Sequence, residues 1–202
     1  METSLLLDTS TRFLNLGLIV DGQLIEKISE PANRQQSEIT MVRIDELFKR
    51  HQLSPKTLKQ IVISVGPGSY TGIRIAMTIA KVLGSVAGIE VYTLNSLQIY
   101  CGVSSKSRLA LLDARSKRAY VAIYQDAKMI LEPQIMFLEE IKAMLDFVDE
   151  VVGDAHLIEA EAIDIDFVKQ MYQLKEQWQI VEDIDHLVPL YLKKSSSYGQ
   201  NQ

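Results

Sequence analysis

The segment from Ile61 to Leu83 constrains the fold most strongly, because the patterns of a strand, a turn and a helix succeed one another within it. Ile61 to Val65 is a β-branched apolar run, which is typical of a buried strand. Three glycines and a proline in residues 66–72 then predict a tight turn. Apolar residues recur beyond this turn at helical spacing, and Gly88 is predicted to cap the helix. The recurring residues are Ile75, Ile79, Val82, Leu83 and Val86.

The glycine-rich turn has two interpretations on the residues alone. A strand, a glycine loop and a helix start gather free N–H groups at one point, which suits a phosphate or another anion. The same geometry suits a turn that binds nothing and only allows close packing. The lysine of a Walker loop is absent, and the last glycine comes one residue later than in a Rossmann fingerprint, so dinucleotide binding is not expected. The candidate anion ligands are Gly66, Gly68, Ser69, Thr71 and Gly72.

Two further groups of polar residues come after predicted strands. The first group could hold a phosphate or a hydrated Mg²⁺, but hydrogen bonds within a turn are the favoured interpretation. This group is Asp8, Thr9, Ser10 and Thr11. Asp113 and Arg115 occupy the analogous place in the second half of the chain, where they are either ligands or an ion pair at a turn.

No catalytic set can be assembled from the sequence. The three histidines, at positions 51, 156 and 186, lack the i, i+4 spacing of a helical zinc site. No Gly-x-Ser-x-Gly motif is present for a serine nucleophile. Cys101 comes after an apolar stretch and is expected to be a buried packing residue. We therefore predict no catalytic residue and no metal site.

The order of the predicted elements indicates an α/β protein with two related halves. A first strand precedes a hairpin with a type I′ turn at Asp21-Gly22, and Ser37 is expected to cap the next helix. After Arg108 the pattern of strand, hairpin, helix and strand recurs loosely. The expected divisions are an N-terminal lobe at 1–103, a C-terminal lobe at 104–194 and a flexible tail at 195–202.

Composition limits the class of protein. The 202 residues carry a net charge of −5 and are 47% apolar, which favours a large core over disorder. Acidic residues dominate 139–185, most simply as a solvated surface, and a chain without a long basic stripe is not expected to bind nucleic acid alone. We expect a cytoplasmic protein, because there is no signal-peptide pattern, no apolar run of membrane-spanning length and a single cysteine.

Several sequence blocks, in this order along nearly the whole chain, resemble the TsaB (YeaZ) family. The most specific is the run Gly66-Pro-Gly-Ser-Tyr-Thr-Gly-Ile-Arg-Ile, which is far more distinctive than a lone glycine motif. The other blocks are Leu7 to Thr11, Asp113 to Arg115 with Ala119-Tyr120, Val152 to Asp154, and Val188 to Leu192.

The resemblance implies a two-lobed actin-like ATPase fold, as in sugar kinases, Hsp70 and actin, with duplicated βββαβα halves and a reduced second lobe. It also implies work in the bacterial synthesis of N6-threonylcarbamoyladenosine (t6A) in tRNA, beside the anticodon. Members support a catalytic paralogue, TsaD, which transfers the threonylcarbamoyl group from threonylcarbamoyl-AMP, and a TsaE-type ATPase is the third component. The chain would be a homodimer when alone and would meet tRNA only through the complex, without a membrane.

One departure from the catalytic relatives bears on mechanism. Those relatives place two metal-binding histidines four residues apart near the start of the first long helix, whereas residues 34–40 contain no histidine. The resemblance therefore implies a non-catalytic scaffold and no firm cofactor, with ATP or ADP and Mg²⁺ entering only at the level of the complex. The alternatives are an actin-like phosphotransferase or ATPase that uses Asp8 and the Gly66–Gly72 loop, and a glycoprotease-like metallopeptidase.

The resemblance also implies a partner interface on two helices, predicted at 38–51 and 73–87. Because some of its apolar residues must also pack in the core, about half of them are expected to face inward. In this interpretation the Gly66–Gly72 loop is chiefly a compact joint that lets the second helix lie close to the sheet. The interface candidates are Met41, Ile44, Leu47, Phe48, Arg74, Ile75 and Ile79.

Overall fold

The computed structural model describes residues 2–32 and 35–192, and the tail predicted at 195–202 lies outside them. The strands of this described part are β1 (Thr3–Asp8), β2 (Phe13–Val20), β3 (Gln23–Pro31), β4 (Leu58–Ser64), β5 (Glu90–Leu94), β6 (Arg108–Asp113), β7 (Arg118–Gln125), β8 (Lys128–Phe137), β9 (Glu150–Gly153) and β10 (Gln179–Ile180). They form a first sheet in the order β10-β5-β4-β1-β2-β3 and a second in the order β8-β7-β6-β9.

The two sheets repeat one topology. β1 pairs antiparallel with β2 and parallel with β4, and β2 continues the meander into β3. In the second sheet β6 pairs antiparallel with β7 and parallel with β9, and β7 continues into β8. The duplicated halves expected from the sequence are therefore confirmed, and the second half is the shorter one because its sheet ends at β9.

Helices pack against both sheets. Their bounds are α1 (Gln36–Arg50), α2 (Tyr70–Ala87), α3 (Ser96–Cys101), α4 (Leu138–Lys142) and α5 (Phe167–Gln173), and short 3₁₀ turns occur at Pro55–Thr57, Leu145–Phe147, Ala155–Ile158 and Lys175–Gln177. Among the helices of the described ranges, none combines the length and hydropathy that crossing a membrane requires.

Local turn and cap predictions differ in outcome. Asp21 and Gly22 have φ values of 47° and 83°, as a type I′ hairpin turn requires, and Gly88 caps α2 at a φ of 64°. The prediction that Ser37 caps α1 is wrong. The helix begins at Gln36, two residues before the predicted start at residue 38, and its N-cap Gln35 makes no side-chain capping hydrogen bond.

α2 begins inside the glycine motif, not after it. Ser69 is its N-cap and accepts a hydrogen bond from the Gly72 amide at 3.2 Å. The face of α2 against the first sheet consists largely of small residues, which allow a close approach. The buried residues of this face are Gly72, Ile73, Ala76, Met77 and Ala80. The apolar repeat found in the sequence is offset from this face: Ile79 and Leu83 flank the core, whereas Val82 and Val86 are exposed.

The last part of the chain returns to the first sheet. α5 buries Phe167, Val168 and Met171 against that sheet, on the face opposite α1 and α2. β10 pairs antiparallel with β5, and Leu187 joins the core beneath α2. The range predicted as a C-terminal lobe, 104–194, thus also supplies the edge and part of the cover of the first sheet.

Candidate functional site

The turn after β1 and the glycine turn after β4 meet, as expected for adjacent parallel strands. The Ser69 amide donates to the Ser10 carbonyl at 2.7 Å. The Thr9 hydroxyl donates to the Gly72 carbonyl at 2.7 Å and accepts from the Ala76 amide at 3.2 Å. The two predicted anion-binding segments are therefore neighbours, and each provides hydrogen-bond partners for the other.

The glycines of this joint are required by close contact between backbones. A Cβ atom on Gly72 would lie 1.8 Å from the Thr9 carbonyl oxygen, and one on Gly68 would lie 2.7 Å from the Ser10 carbonyl oxygen. Side-chain carbon atoms do not come this close to backbone oxygen, so any other residue would push the turns apart. The glycine motif thus has a packing role that needs no ligand.

Asp8 is fully buried at the centre of the joint. Its Oδ1 accepts from the Ser10 amide at 3.1 Å, from the Ser10 hydroxyl at 2.6 Å and from the Ser64 hydroxyl. Its Oδ2 accepts from the Asn15 amide group at 3.0 Å. All four of these hydrogen bonds come from the protein itself. The chemistry of Asp8 here is to hold the ends of three strands together.

The remaining members of the predicted site range from exposed Thr71 to buried Gly66. Thr71 is exposed, and the Thr11 hydroxyl accepts from the Phe13 amide at 3.0 Å in a local turn. Gly66 has a φ of 101° and accepts a hydrogen bond through its carbonyl from the Ser96 amide at 2.8 Å. These contacts are again those of a turn.

The analogous turn of the second half is open and charged. Arg115 Nη1 lies 3.2 Å from Asp113 Oδ2, and the Arg115 side chain is 88% exposed. Asp113 also accepts from the Arg115 amide at 2.7 Å, while its own amide donates to Asp154 at 2.9 Å. The pair is therefore a solvated ion pair at a turn, which was one of the two interpretations of the sequence.

Two other side chains that could be reactive, Cys101 and Tyr100, have pKa values above their usual ones. Burial raises the pKa of the Cys101 thiol to about 12, and this thiol donates to the Arg108 carbonyl. Burial also raises the pKa of Tyr100, further supported by the nearby charge of Asp8. In the part of the chain that the structure describes, no three histidine, cysteine, aspartate or glutamate side chains are grouped to hold a metal ion.

The predicted interface residues divide between the core and the surface. Ile44, Leu47 and Phe48 of α1 are buried under the helix. Met41 is 52% exposed, Arg74 is exposed, and Ile75 and Ile79 are half-buried. The structure shows further exposed apolar residues that the predicted interface omitted. The sequence did contain a signal for them, because two belong to the apolar repeat of α2 and one follows Met41. They are Val42, Val82 and Val86.

α1 and α2 lie on the same face of the first sheet, because both pack into the same core cluster. Their apolar side chains that are exposed or half-buried form what we call the docking face. It consists of Met41, Val42, Ile75, Ile79, Val82 and Val86. Val86 is 82% exposed, which is unusual for an aliphatic side chain in a helix that is otherwise well packed.

The fold defines a class of protein, namely an α/β chain whose two halves repeat one strand order, as in the actin-like fold. In its first half the contact between the turns after β1 and β4 supports a pair of helices with exposed apolar residues. The family model described as "TsaD: tRNA N6-adenosine threonylcarbamoyltransferase" matches residues 28–181, which is more than half of the chain. The chain belongs to this family. The resemblance to TsaB (YeaZ) seen in the sequence is confirmed as well.

Individual relatives point the same way. The tRNA threonylcarbamoyladenosine biosynthesis protein TsaB of Bacillus subtilis is 30% identical over 137 residues, which is 64% of this chain and 58% of that protein. The "MG208 homolog" of Mycoplasma pneumoniae, an uncharacterized protein, is 25% identical over 198 residues, or 94% of each chain. The solved structure of YeaZ from Pseudomonas aeruginosa superposes with a TM-score of 0.72 at 19% identity, covering 95% of this chain and 100% of that one. At this identity the last similarity establishes the fold alone.

Proposed function

We propose that this protein is a non-catalytic scaffold in the synthesis of t6A in tRNA, and that it activates a TsaD-type transferase by binding it through the docking face. The observation that carries the proposal is the contrast within one helix. The buried side of α2 is hydrogen-bonded to Thr9 of the joint, while its outer side carries the exposed residues Val82 and Val86. Exposed apolar surface on a helix that is anchored in this way favours association with another protein.

The chemistry of the joint supports a scaffold more than an ATPase. An ATPase that used Asp8 would need its carboxylate free for Mg²⁺, and here four hydrogen bonds from the protein itself occupy it. The glycine turn likewise gives the Ser69 amide to the Ser10 carbonyl instead of to a phosphate. These contacts disfavour the phosphotransferase alternative and, with the absence of histidines from 34–40, the metallopeptidase alternative as well.

The proposal includes the rest of the expected system. The partners are a TsaD-type transferase and a TsaE-type ATPase, and ATP or ADP with Mg²⁺ belongs to that complex. The free chain forms a homodimer through the same helices, tRNA is reached through the complex, and the setting is the cytoplasm. The relatedness to a TsaB of Bacillus subtilis supports this assignment of system.

A reconstituted transfer assay tests the proposal. Transfer of the threonylcarbamoyl group to tRNA is measured with the TsaD-type and TsaE-type proteins, in the presence and the absence of this chain. We expect product only when the chain and the transferase are both present. Transfer by this chain alone, or transfer that is unchanged when it is omitted, would overturn the scaffold role.

A further inference from the structure

Beyond β10 the chain runs beside α2 without helix or strand. We call residues 181–192 the C-terminal strap. The Val181 amide donates to the Val91 carbonyl at 2.8 Å, and further along the Leu190 amide donates to the Val65 carbonyl at 2.9 Å. Between these points the Lys81 ammonium group donates to the Asp185 carbonyl at 3.0 Å. The strap therefore runs from the C-terminal end of α2 back to the glycine turn that precedes Tyr70, the first residue of this helix.

Some strap side chains anchor it and others face outward. Leu187 is buried in the core beneath α2. Ile184 packs close to Gly84 of α2, because a Cβ atom on that glycine would lie 3.3 Å from Ile184 Cδ1. The outward residues are Val188, Leu190 and Tyr191, which are 61%, 36% and 67% exposed. On α2 the strap contacts the side that carries Lys81 and Gly84, so its exposed residues extend the exposed surface of the helix pair beside α2.

The two ends of this extended surface differ in charge. At the start of α2, Arg74 donates to the Tyr70 hydroxyl at 3.2 Å, and its guanidinium carbon lies 5.5 Å from the Tyr70 ring centroid. Tyr191 adjoins this pair: desolvation and the Tyr70 hydroxyl both raise its pKa. At the other end the strap carries three carboxylates, at positions 182, 183 and 185, against the single charge of Lys81 and the ring of His186.

We infer that the strap is part of the docking surface and fixes the orientation in which the TsaD-type transferase binds. The partner chemistry that fits is an apolar helix face with a carboxylate that meets Arg74 and a basic group that meets Asp183 and Asp185. Aromatic and arginine side chains beside an apolar patch are the usual centres of binding energy, and charges at the rim select orientation. The inference rests on the proposed function, because it assigns further residues to the same interface.

The affinity of the transferase for variants of the full chain tests the inference by isothermal titration calorimetry. Tyr191→Ala is expected to weaken binding about tenfold, and the double reversal Asp183→Lys with Asp185→Lys is expected to weaken it further. The matched controls are Phe147→Ala and Asp146→Lys, which change an exposed aromatic and an exposed acid of the second half and are expected to bind as the unchanged chain does.

The variant Val82→Glu separates failure of this inference from failure of the proposed function. If the strap variants bind normally while Val82→Glu does not, the strap lies outside the interface and the docking face stands. If Val82→Glu also binds normally, the proposed function loses its interface. If the strap variants lose self-association in analytical ultracentrifugation but keep the transferase, the strap contacts a second copy of this chain, and the inference is overturned.

Discussion

The two halves of the molecule share a strand order. They differ in the segment that follows the strand parallel to the first one, which is β4 in the first half and β9 in the second. After β4 the first half turns through glycines into α2, an 18-residue helix. β9 leads directly into the short 3₁₀ turn Ala155–Ile158, and the next helix, α5, has 7 residues and packs on the first sheet. The carboxylate at the end of the first strand is fully buried in one half, at Asp8, and 37% exposed in the other, at Asp113.

This difference shows how one topology is used in two ways. In the first half, the hydrogen bonds of the joint are satisfied internally and anchor the start of a long helix, part of whose apolar surface faces solvent. In the second half the turn is solvated and no long helix follows it. The repeat therefore explains the fold, whereas the docking face comes from α1 and α2, which belong to the first half alone.

Removing the two corresponding carboxylates is the strongest way to break the comparison. Asp8→Ala leaves the donors of Ser10, Ser64 and Asn15 without their acceptor inside the core. We expect the free energy of unfolding to fall by about 3 kcal/mol. Asp113→Ala removes only a solvated pair and a turn hydrogen bond, and about 0.5 kcal/mol is expected. Urea denaturation measures both, and equal losses would contradict the contrast between the halves.

A second comparison concerns side-chain pairs between the parallel strands. In the first half Ser4 pairs with Gln60 through a hydrogen bond of 2.9 Å between two neutral side chains. In the second half Arg108 pairs with Glu150 through an ion pair of 2.8 Å. The hydrogen bond from Lys106 and the neighbouring Arg108 lower the pKa of Glu150. The pair of Arg108 and Glu150 is therefore sensitive to acid.

The sign of that sensitivity is set by the lowered pKa. Glu150 stabilises the fold fully above the pKa it has when unfolded, near 4.3, and the stabilisation disappears as the pH falls through the lower folded value. We expect Glu150→Gln to cost about 1 kcal/mol at neutral pH and nothing measurable in strong acid. Urea denaturation across a pH series measures this loss. Glu132→Gln, a substitution in β8, is the control; a cost for Glu150→Gln that does not change with pH would contradict the assignment.

Much of the fold could be predicted because it depends on local signals. The apolar run of β4, the Asp21-Gly22 turn and the Gly88 cap each act through their own backbone preferences. The return of α5 and β10 to the first sheet could not be predicted, because it depends on contacts between residues far apart in sequence. The predicted start of α1 was wrong by two residues, since the Ser37 signal is not used as a cap.

The sequence indicated the residues of the candidate site but not that they meet. It showed polar residues after the strands that are β1 and β4, whereas the pairing of these strands, which brings Thr9 to Gly72, is seen only in the folded sheet. Whether Asp8 is free or satisfied depends on Ser64 and Asn15, whose side chains reach it only in the folded sheet. The side of α2 that faces the sheet likewise depends on the small residues Ala76 and Ala80, which the larger apolar repeat concealed.

We propose that α2, and not the half built on the second sheet, binds the transferase. The direct measurement is the affinity of the TsaD-type protein for Val82→Glu and Phe147→Glu, which place the same charge at side chains that are 55% and 81% exposed. Because a charge is costly to desolvate within an apolar interface, Val82→Glu should weaken binding by about a hundredfold and Phe147→Glu should not change it. Normal binding by Val82→Glu, with loss of binding by Phe147→Glu, would contradict the account.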